Sequence, residues 1–553
     1  MSGRTSIARS AGSRARASGG LSKSERAALA AAEAYPHDAS AAQSLQTIQT
    51  HLSHVFLTAE RVYKFRKAVD LGFVRFATRE ERSADCLREV ALNRRLAPDV
   101  YLGVAPLLAS PHGARVGPVG ERLSREAPGA EHCVVMRRLP DGRDALSMLR
   151  SGALGPEQID SLARILSAFH VRSRLGVPAS FSSADWRARC TGPVRANLDL
   201  LAASPPAVAP REVLARLSEA TRAFEMECAE RFERRRMAGR AVDGHGDLHL
   251  QHVWFAGEGG APLVIDCLEF NESLRRIDAA SDVAFLFMDL MYRGASALAA
   301  RFLRVYAAES DDYDLYAVVD YYASYRAAVR AKVAAIVAGD AQIDAEQRAR
   351  AAESALRHLR LADASLAPRG RGRLFLVGGV VGSGKTTVAA ALADALEGVV
   401  VSSDRVRKHM LGIEATQRAA STAYTPDQKG RVYDAMLDRA APVVASGRSA
   451  VLDATYASRR DREAARDWAR ASGTGALFVE TRCAPEVAIA RLERRAREGA
   501  DASDAGPALY RASAAAFDPV VEWTPDAHCT LATDAGDWRT KLQGIANAWR
   551  SFT

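Results

Sequence analysis

Long apolar runs are missing from this chain of 553 residues. No stretch reaches the ~18 apolar residues that a membrane span needs, which excludes an integral helical membrane protein. Paired cysteines are missing as well. The seven present (Cys86, Cys133, Cys190, Cys228, Cys267, Cys483 and Cys529) are odd in number and scattered, and none stands in a CxxC pair. A disulfide framework and a zinc knuckle are thereby excluded, and a reducing compartment, the cytoplasm, is expected. No internal repeat divides the chain into copies. Acidic residues are absent from the first 24 positions, which hold Arg4, Arg9, Arg14, Arg16 and Lys23. The formal charge of +9 is therefore largely a property of that tail. The near-balanced remainder does not require a nucleic-acid partner. Lysine is scarce: only eight of 75 basic residues are lysine (Lys23, Lys64, Lys67, Lys332, Lys385, Lys408, Lys429 and Lys541). Where a chain writes arginine by default, a retained lysine hints at a place that wants a compact ammonium.

What is there is globular. Hydrophobic residues make up 48% and charged residues 25%, the balance of a packed protein. The length predicts two to four folding units. Residues 1–25, rich in Ser, Gly, Ala and Arg, read as a disordered basic tail. Their composition also suits an organellar transit peptide, although the same Ala/Arg bias runs through the whole chain. An Ala-rich helix is expected over 26–34, and residues 54–69 read as two strands joined by a short turn. A helix over 79–97 ends before Pro98, and a short buried strand covers 133–139. Helices then dominate to about 240. Strand-like runs return at 241–256 and 262–270, followed by helices from 278 to about 362. Residues 363–373 (DASLAPRGRGR) carry Pro, two Gly and three Arg and read as a linker. Beyond it strands and helices alternate, the signature of a parallel α/β sheet.

Residues 374–387, LFLVGGVVGSGKTT, contain the GxxxxGK[ST] pattern from Gly379 to Thr386, directly after an apolar strand and before a helix. Gly379, Gly382, Ser383 and Gly384 would let backbone N–H groups wrap phosphates at a helix N-terminus, continuing through Thr387. Lys385 would reach the outer phosphates, and the Thr386 hydroxyl would hold Mg²⁺. Asp453 ends the apolar strand Ala450-Val451-Leu452 and fits a magnesium partner. Asp404, after Ser403 at the carboxyl edge of the sheet, can take a proton from an acceptor hydroxyl. Equally, it can cap the helix that follows. Arg491, Arg494 and Arg495 share a helix and can close over transferring phosphate, or pair with Glu493 and Glu498 in solvent. The pieces GVVGSGKTT, SSDRVRKHMLG, VLDATYASRRDR and RLERRAREGADASDA resemble the small P-loop kinases grouped with gluconate kinase, polynucleotide kinase and zeta toxins. The resemblance covers about 373–530. It implies that Asp404 activates the acceptor and that Arg495, helped by Arg491, forms the lid.

A second constellation precedes the linker. HGDLHLQH at 245–252 and Val264-Ile265-Asp266 place Asp247 and Asp266 at the ends of what read as neighbouring apolar strands. Phosphoryl transfer needs one carboxylate to orient an acceptor hydroxyl and another to hold Mg²⁺. Lys64 on an upstream strand and Glu89 on the next helix form the expected phosphate lysine and its partner. His245 and His249 bracket Asp247; a pair four apart invites a metal reading, but on a strand and loop rather than a helix His245 is expected to bond structurally, Asp278 and Asp282 to fix a loop and cap a helix, and Arg326, Arg330 and Lys332 to face solvent.

The stretches THLSHVFLTAERVYKFRKAVDLGFVRF, REVALNRRLAPDVYLGV, HGDLHLQHVWF and VIDCLEFNESLRRIDAASDVAFLFMDL resemble the aminoglycoside phosphotransferase-like kinases, in particular a bacterial group that fuses this domain to a P-loop kinase. The resemblance implies a two-lobed protein-kinase-like fold with Asp247 as catalytic base, Asp266 as metal ligand, and Lys64 and Glu89 as the nucleotide-binding pair. Where that family has a metal-binding Asn five residues after the base, this chain has His252. No GxGxxG covers the phosphates, so Ser53 or backbone amides would serve, and Lys67 leaves the choice of lysine open.

The fold class expected is α/β and α+β. It comprises a protein-kinase-like domain over 26–362 (N-lobe to about 140), a linker at 363–373 and a P-loop kinase or ATPase domain over 374–553. The expected function is a bifunctional ATP-dependent phosphotransferase, with ATP and Mg²⁺ as cofactors and small-molecule hydroxyl acceptors as partners. Two other classes stay open: a sensor whose kinase-like domain binds ligand beside a P-loop ATPase, and a toxin-like kinase of nucleotide sugars.

Overall fold

Alternation of large apolar and polar residues in 46–66 builds the first sheet. β1 (Gln46–Gln49), β2 (Ser53–Leu57), β3 (Arg61–Arg66), β4 (Tyr101–Ser110), β5 (Gly113–Val116) and β6 (His132–Arg137) pair antiparallel in the order β1-β2-β3-β6-β4-β5. In this computed structural model the described residues are 19–70, 75–111, 113–125, 127, 129–498 and 506–550. The expected tail up to residue 18, and the end of the Arg-rich lid segment beyond 498, lie outside them. Leu21 is buried and a helix begins at Lys23 behind a Ser22 capping box, three residues earlier than the sequence suggested.

Strand period sorts β3 into two faces. Tyr63 and Phe65 join one core with Phe56, Cys133 and Val135. Val62 turns to the other core, with Cys86, Val90, Tyr101, Val134 and Met136. Lys64 shares the parity of Val62 and is paired with Val134 of β6. Against this face packs the helix Arg79–Asn93, started by a capping box between Thr78 and Glu81. It carries Glu89.

The chain divides into two compact units. The first is residues 1–150 with 245–247 and 251–275. It includes a hairpin of β8 (Val253–Phe255) and β9 (Pro262–Val264), which pair antiparallel. The second holds the remaining helices and the C-terminal sheet. In it β7 (Ala241–Asp243) pairs with β10 (Arg276–Asp278). The runs before Asp247 and Asp266 are thus not paired with each other, as the sequence had suggested; each has a different antiparallel partner.

The last helix before the P-loop segment runs Ala345–Ser365, so the first three residues of the expected linker are helical. The C-terminal sheet is fully parallel: β11 (Leu374–Gly378), β12 (Val399–Ser402), β13 (Ala450–Asp453), β14 (Ala476–Arg482) and β15 (His528–Ala532), in the order β12-β13-β11-β14-β15. β11 and β13 are buried throughout, as strands covered on both faces must be. Their carboxyl ends bring Gly378 and Asp453 to one edge.

Within the same unit, the helix Ser296–Ser310 lies against β12 and the turn Tyr313–Ala317 against the helix Pro426–Ala445. Arg448, just before β13, makes a two-pronged bond to Asp320 at 2.8 Å on each arm and lies over the Phe287 and Tyr316 rings. Arg439 bonds Asp311 at 2.7 Å, and the Tyr313 hydroxyl donates to the Val400 carbonyl at 3.2 Å. No helix among the described residues is long and apolar enough to cross a membrane.

Candidate active sites

The N-terminal site begins with Lys64. Its Nζ lies 3.0 Å from Glu89 Oε1 and 2.8 Å from Asp266 Oδ1, joining β3, the Arg79–Asn93 helix and the turn after β9. Lys67 points elsewhere, donating to the Thr50 carbonyl at 2.6 Å. Ser53 is wholly buried, its hydroxyl accepting from Arg66. It is this burial that keeps the Ser53 side chain from reaching a phosphate. Asp266 has φ +60°, a left-handed conformation that few residues other than Gly, Asn and Asp adopt. Its N–H donates to the Tyr101 hydroxyl at 3.1 Å.

Electrostatics hold this cluster charged. Burial would raise the Asp266 carboxyl, but Lys64 and then His252 outweigh it and keep the group well below the usual carboxylate range. Burial works against the Lys64 ammonium too, and Asp266 with Glu89 more than offsets it, raising its pKa. Arg66, two residues along the same face, binds Glu89, Asp85 and Glu269 and so anchors Glu89 from behind. The strand alternation that singled out Lys64 also carried the signal for Arg66; Tyr101 had none.

His252 stands between the two aspartates. Its Nδ1 is 2.9 Å from the Asp247 main-chain oxygen and 3.6 Å from Asp247 Oδ2, and its Nε2 is 3.5 Å from Asp266 Oδ2. His245 donates Nε2–H to the Ile265 carbonyl at 2.9 Å, the structural bond expected of it. Asp278 caps the helix Ala279–Tyr292 and binds Arg235 through both oxygens at 2.7 Å. Arg326 is a correction: it is buried, with Nε on the Ser281 carbonyl and its plane over Phe285, because the helix Val319–Gly339 turns that face inward.

The C-terminal site is a cavity of about 960 Å³ at the carboxyl edge of the parallel sheet. The loop between β11 and the helix Lys385–Leu396 frames it. Gly379 has φ +146°, and a Cβ there would overlap the Thr481 carbonyl oxygen. Gly382 has φ +81°, with the Ala488 carbonyl 2.7 Å from where a Cβ would sit. Ser383 is buried and bonds Thr481 Oγ1 at 2.6 Å, so its side chain braces the loop and only its backbone is available to a ligand. Gly384, Lys385, Thr386 and Thr387 line the cavity. Lys385 Nζ donates to the Val380 carbonyl at 2.9 Å. Burial and Arg495 lower its pKa, against the pull of Asp453 and Asp404.

Thr386 Oγ1 donates to Asp453 Oδ2 at 2.9 Å, so two oxygen donors from the loop and from β13 meet. Such a pair suits Mg²⁺. In the N-terminal site the Asp266 oxygen suits it equally, while the His252 nitrogen suits it less. Asp404 lies in the first turn of the helix Ser403–Met410, whose N-cap is Ser402, so the capping alternative is not realised. It pairs with Arg407 at 2.6 Å. Arg491 donates to Thr533 and, at 3.4 Å, to the Gly382 carbonyl, fastening the loop, while Arg494 and Arg495 line the cavity. Thr533 also donates to the Ser383 carbonyl at 2.7 Å. Nothing in the sequence marked Thr481 or Thr533, which reach the loop from 98 and 150 residues away.

Comparison with known proteins matches this architecture. Residues 59–322 match the phosphotransferase enzyme family and residues 374–520 an AAA domain. The chain is 33% identical over 481 residues to the uncharacterized proteins Rv2004c of Mycobacterium tuberculosis and Mb2027c of Mycobacterium bovis, covering 84% of this chain and 89% of each relative. Among solved structures, a choline/ethanolamine kinase family protein from Mesorhizobium loti aligns over 61% of this chain and 99% of its own, at 14% identity and TM-score 0.34. A gluconokinase from Sinorhizobium meliloti aligns over 34% and 99%, at 19% identity and TM-score 0.24. The chain belongs to the family of these mycobacterial relatives, with a phosphotransferase-family module in front and a P-loop kinase-like module behind.

Proposed function

We propose that the chain is a cytoplasmic, bifunctional kinase in which each module transfers the γ-phosphoryl group of ATP to a hydroxyl of a small-molecule acceptor. The observation that carries the reading is the Lys64 ammonium, held 3.0 Å from Glu89 and 2.8 Å from Asp266. That bridge fixes a cation where triphosphate oxygens need one. In the front module Asp247 orients the acceptor and takes its proton, the hydroxyl oxygen bonds to the γ-phosphorus, and the bond to ADP breaks. Asp266 and His252 would hold the metal. In the rear module the backbone from Gly379 to Thr387 wraps the phosphates, Lys385 meets the outer ones, and Thr386 and Asp453 would hold Mg²⁺. Asp404 takes the acceptor proton, and Arg495, with Arg491 behind it, balances charge on the transferring group. When bound, the metal neutralises phosphate charge and orients the leaving group.

The test uses purified full-length protein, labelled ATP and a metabolite extract. Two labelled products are expected, one lost in Asp247→Asn and the other in Lys385→Ala. ATP hydrolysis that needs Lys385, with no product that needs Asp247, would instead support a sensor coupled to an ATPase.

A further inference from the structure

The helix Ser403–Met410, which carries Asp404, sorts its side chains by face. Asp404 and Arg407 line the cavity. Arg405 and His409, one turn apart, meet the end of the helix Ser296–Ser310 instead. Arg405 donates through Nη2 to Glu309 Oε1 at 3.0 Å and through Nη1 to the Ala308 carbonyl at 3.3 Å. His409 Nε2 lies 3.0 Å from Asp311 Oδ2, and Asp311 also accepts from Arg439 Nε at 2.7 Å. The strand that leads into the Asp404 helix is held by the same segment. Tyr313 donates to the Val400 carbonyl at 3.2 Å, and Arg304 to the Gly398 carbonyl at 3.5 Å.

Glu309 and Asp311 stand where their own helix does not favour them. The carbonyl end of a helix attracts cations, and the last turn of this one holds no basic residue. The positive partners come from beyond the linker, in Arg405 and Arg439. Residues 308–311 fall within the 59–322 phosphotransferase-family match, whereas Arg405 and His409 fall within the 374–520 match. All belong to one compact unit. A grip at both ends of one helical turn fixes its rotation, and with it the place of the Asp404 carboxylate in the cavity.

We propose that Glu309 and Asp311, in the phosphotransferase-family module, are positioning residues for Asp404 of the P-loop module. Rear transfer then uses the front module as a scaffold, whether or not the front site turns over. The inference rests on the reading of Asp404 as the group that takes the acceptor proton.

The test uses full-length protein and labelled ATP, with a metabolite extract as the source of acceptor, and follows the product that Lys385→Ala abolishes. Glu309→Gln and Asp311→Asn are made singly, and each again on Asp404→Asn. At saturating ATP each single variant should slow product formation about tenfold or more, the cost of a slight misplacement at the reacting centre. Neither residue lines the cavity, so affinity for a non-hydrolysable ATP analogue should stay within about twofold. On Asp404→Asn the further loss should shrink to about twofold or less, because the carboxylate they place is gone. The pair of Glu309 with Arg405 is partly exposed, so Glu309→Gln keeps the test decisive even where Asp311→Asn fails to fold. An unchanged rate, a full loss retained on Asp404→Asn, or analogue affinity that falls in step with product overturns the positioning role and leaves Asp404 as the base. Product formed by Asp404→Asn at the undiminished rate, or no Lys385-dependent product at all, removes both.

Discussion

At the scale of single residues, the front site turns on which ammonium faces the carboxylates. Lys64→Ala should lower formation of the Asp247-dependent product by about 10²–10³-fold, the cost of losing one preorganised charge partner. Lys64→Arg should fail as well, since a planar fork cannot replace a compact ammonium bridging Glu89 and Asp266. Lys67→Ala, whose amine only reaches the Thr50 carbonyl, should leave product formation unchanged in the same assay. A different residue contributes to acid sensitivity. His358 is buried, stacked on Tyr292 at 3.8 Å, and burial lowers its pKa to about 4. The unfolded chain takes up this proton near pH 6.5 and the native one only near 4, so stability falls as pH drops through that window. Between pH 7 and 5 the loss should be about 2 kcal/mol. His358→Phe keeps a ring against Tyr292 and should reduce that slope by this amount in urea titrations at the two pH values, leaving the share due to the buried His54.

At the scale of elements, the loop after β11 depends on backbone shape. Gly379→Ala has no room beside the Thr481 carbonyl at φ +146°. It should cost about 1–3 kcal/mol, read as weaker binding of an ATP analogue together with a lower melting temperature. Much of this element was legible beforehand: the apolar strand, the glycine spacing and the helix start are all local, so 374–387 announces its own conformation. β3 was legible for the same reason, its period of two setting Lys64 on the helix-facing side. Contacts that close over long stretches of chain were not. Thr533 and Thr481 brace the P-loop, and Tyr101 holds the Asp266 N–H, through geometry that only the folded sheet creates. Local pattern also misled at 241–270, where two strand-like runs that seemed to be neighbours each found another partner.

At the scale of the whole molecule, the helices around Asp311 and Asp320 and the parallel sheet belong to one compact unit. Arg448→Ala takes the two-pronged partner from the Asp320 carboxylate and leaves it Arg369 at 3.3 Å, so it should destabilise that unit by about 2 kcal/mol, the worth of hydrogen bonds to a charged group. The double variant Arg448→Met/Asp320→Leu should recover most of the loss, measured as the midpoint of urea unfolding. Because the Tyr313 hydroxyl and Arg439 tie the same helices to β12 and to the helix Pro426–Ala445, occupancy at Lys385 has reach. A nucleotide held only by the native state, at a hundred times its dissociation constant, adds about 2.7 kcal/mol to whatever unfolds cooperatively with its pocket. Amide protons in the Ser296–Ser310 helix, which does not line the cavity, should therefore exchange more slowly when the P-loop is filled, so that nucleotide supply sets the stability of helices outside its own pocket.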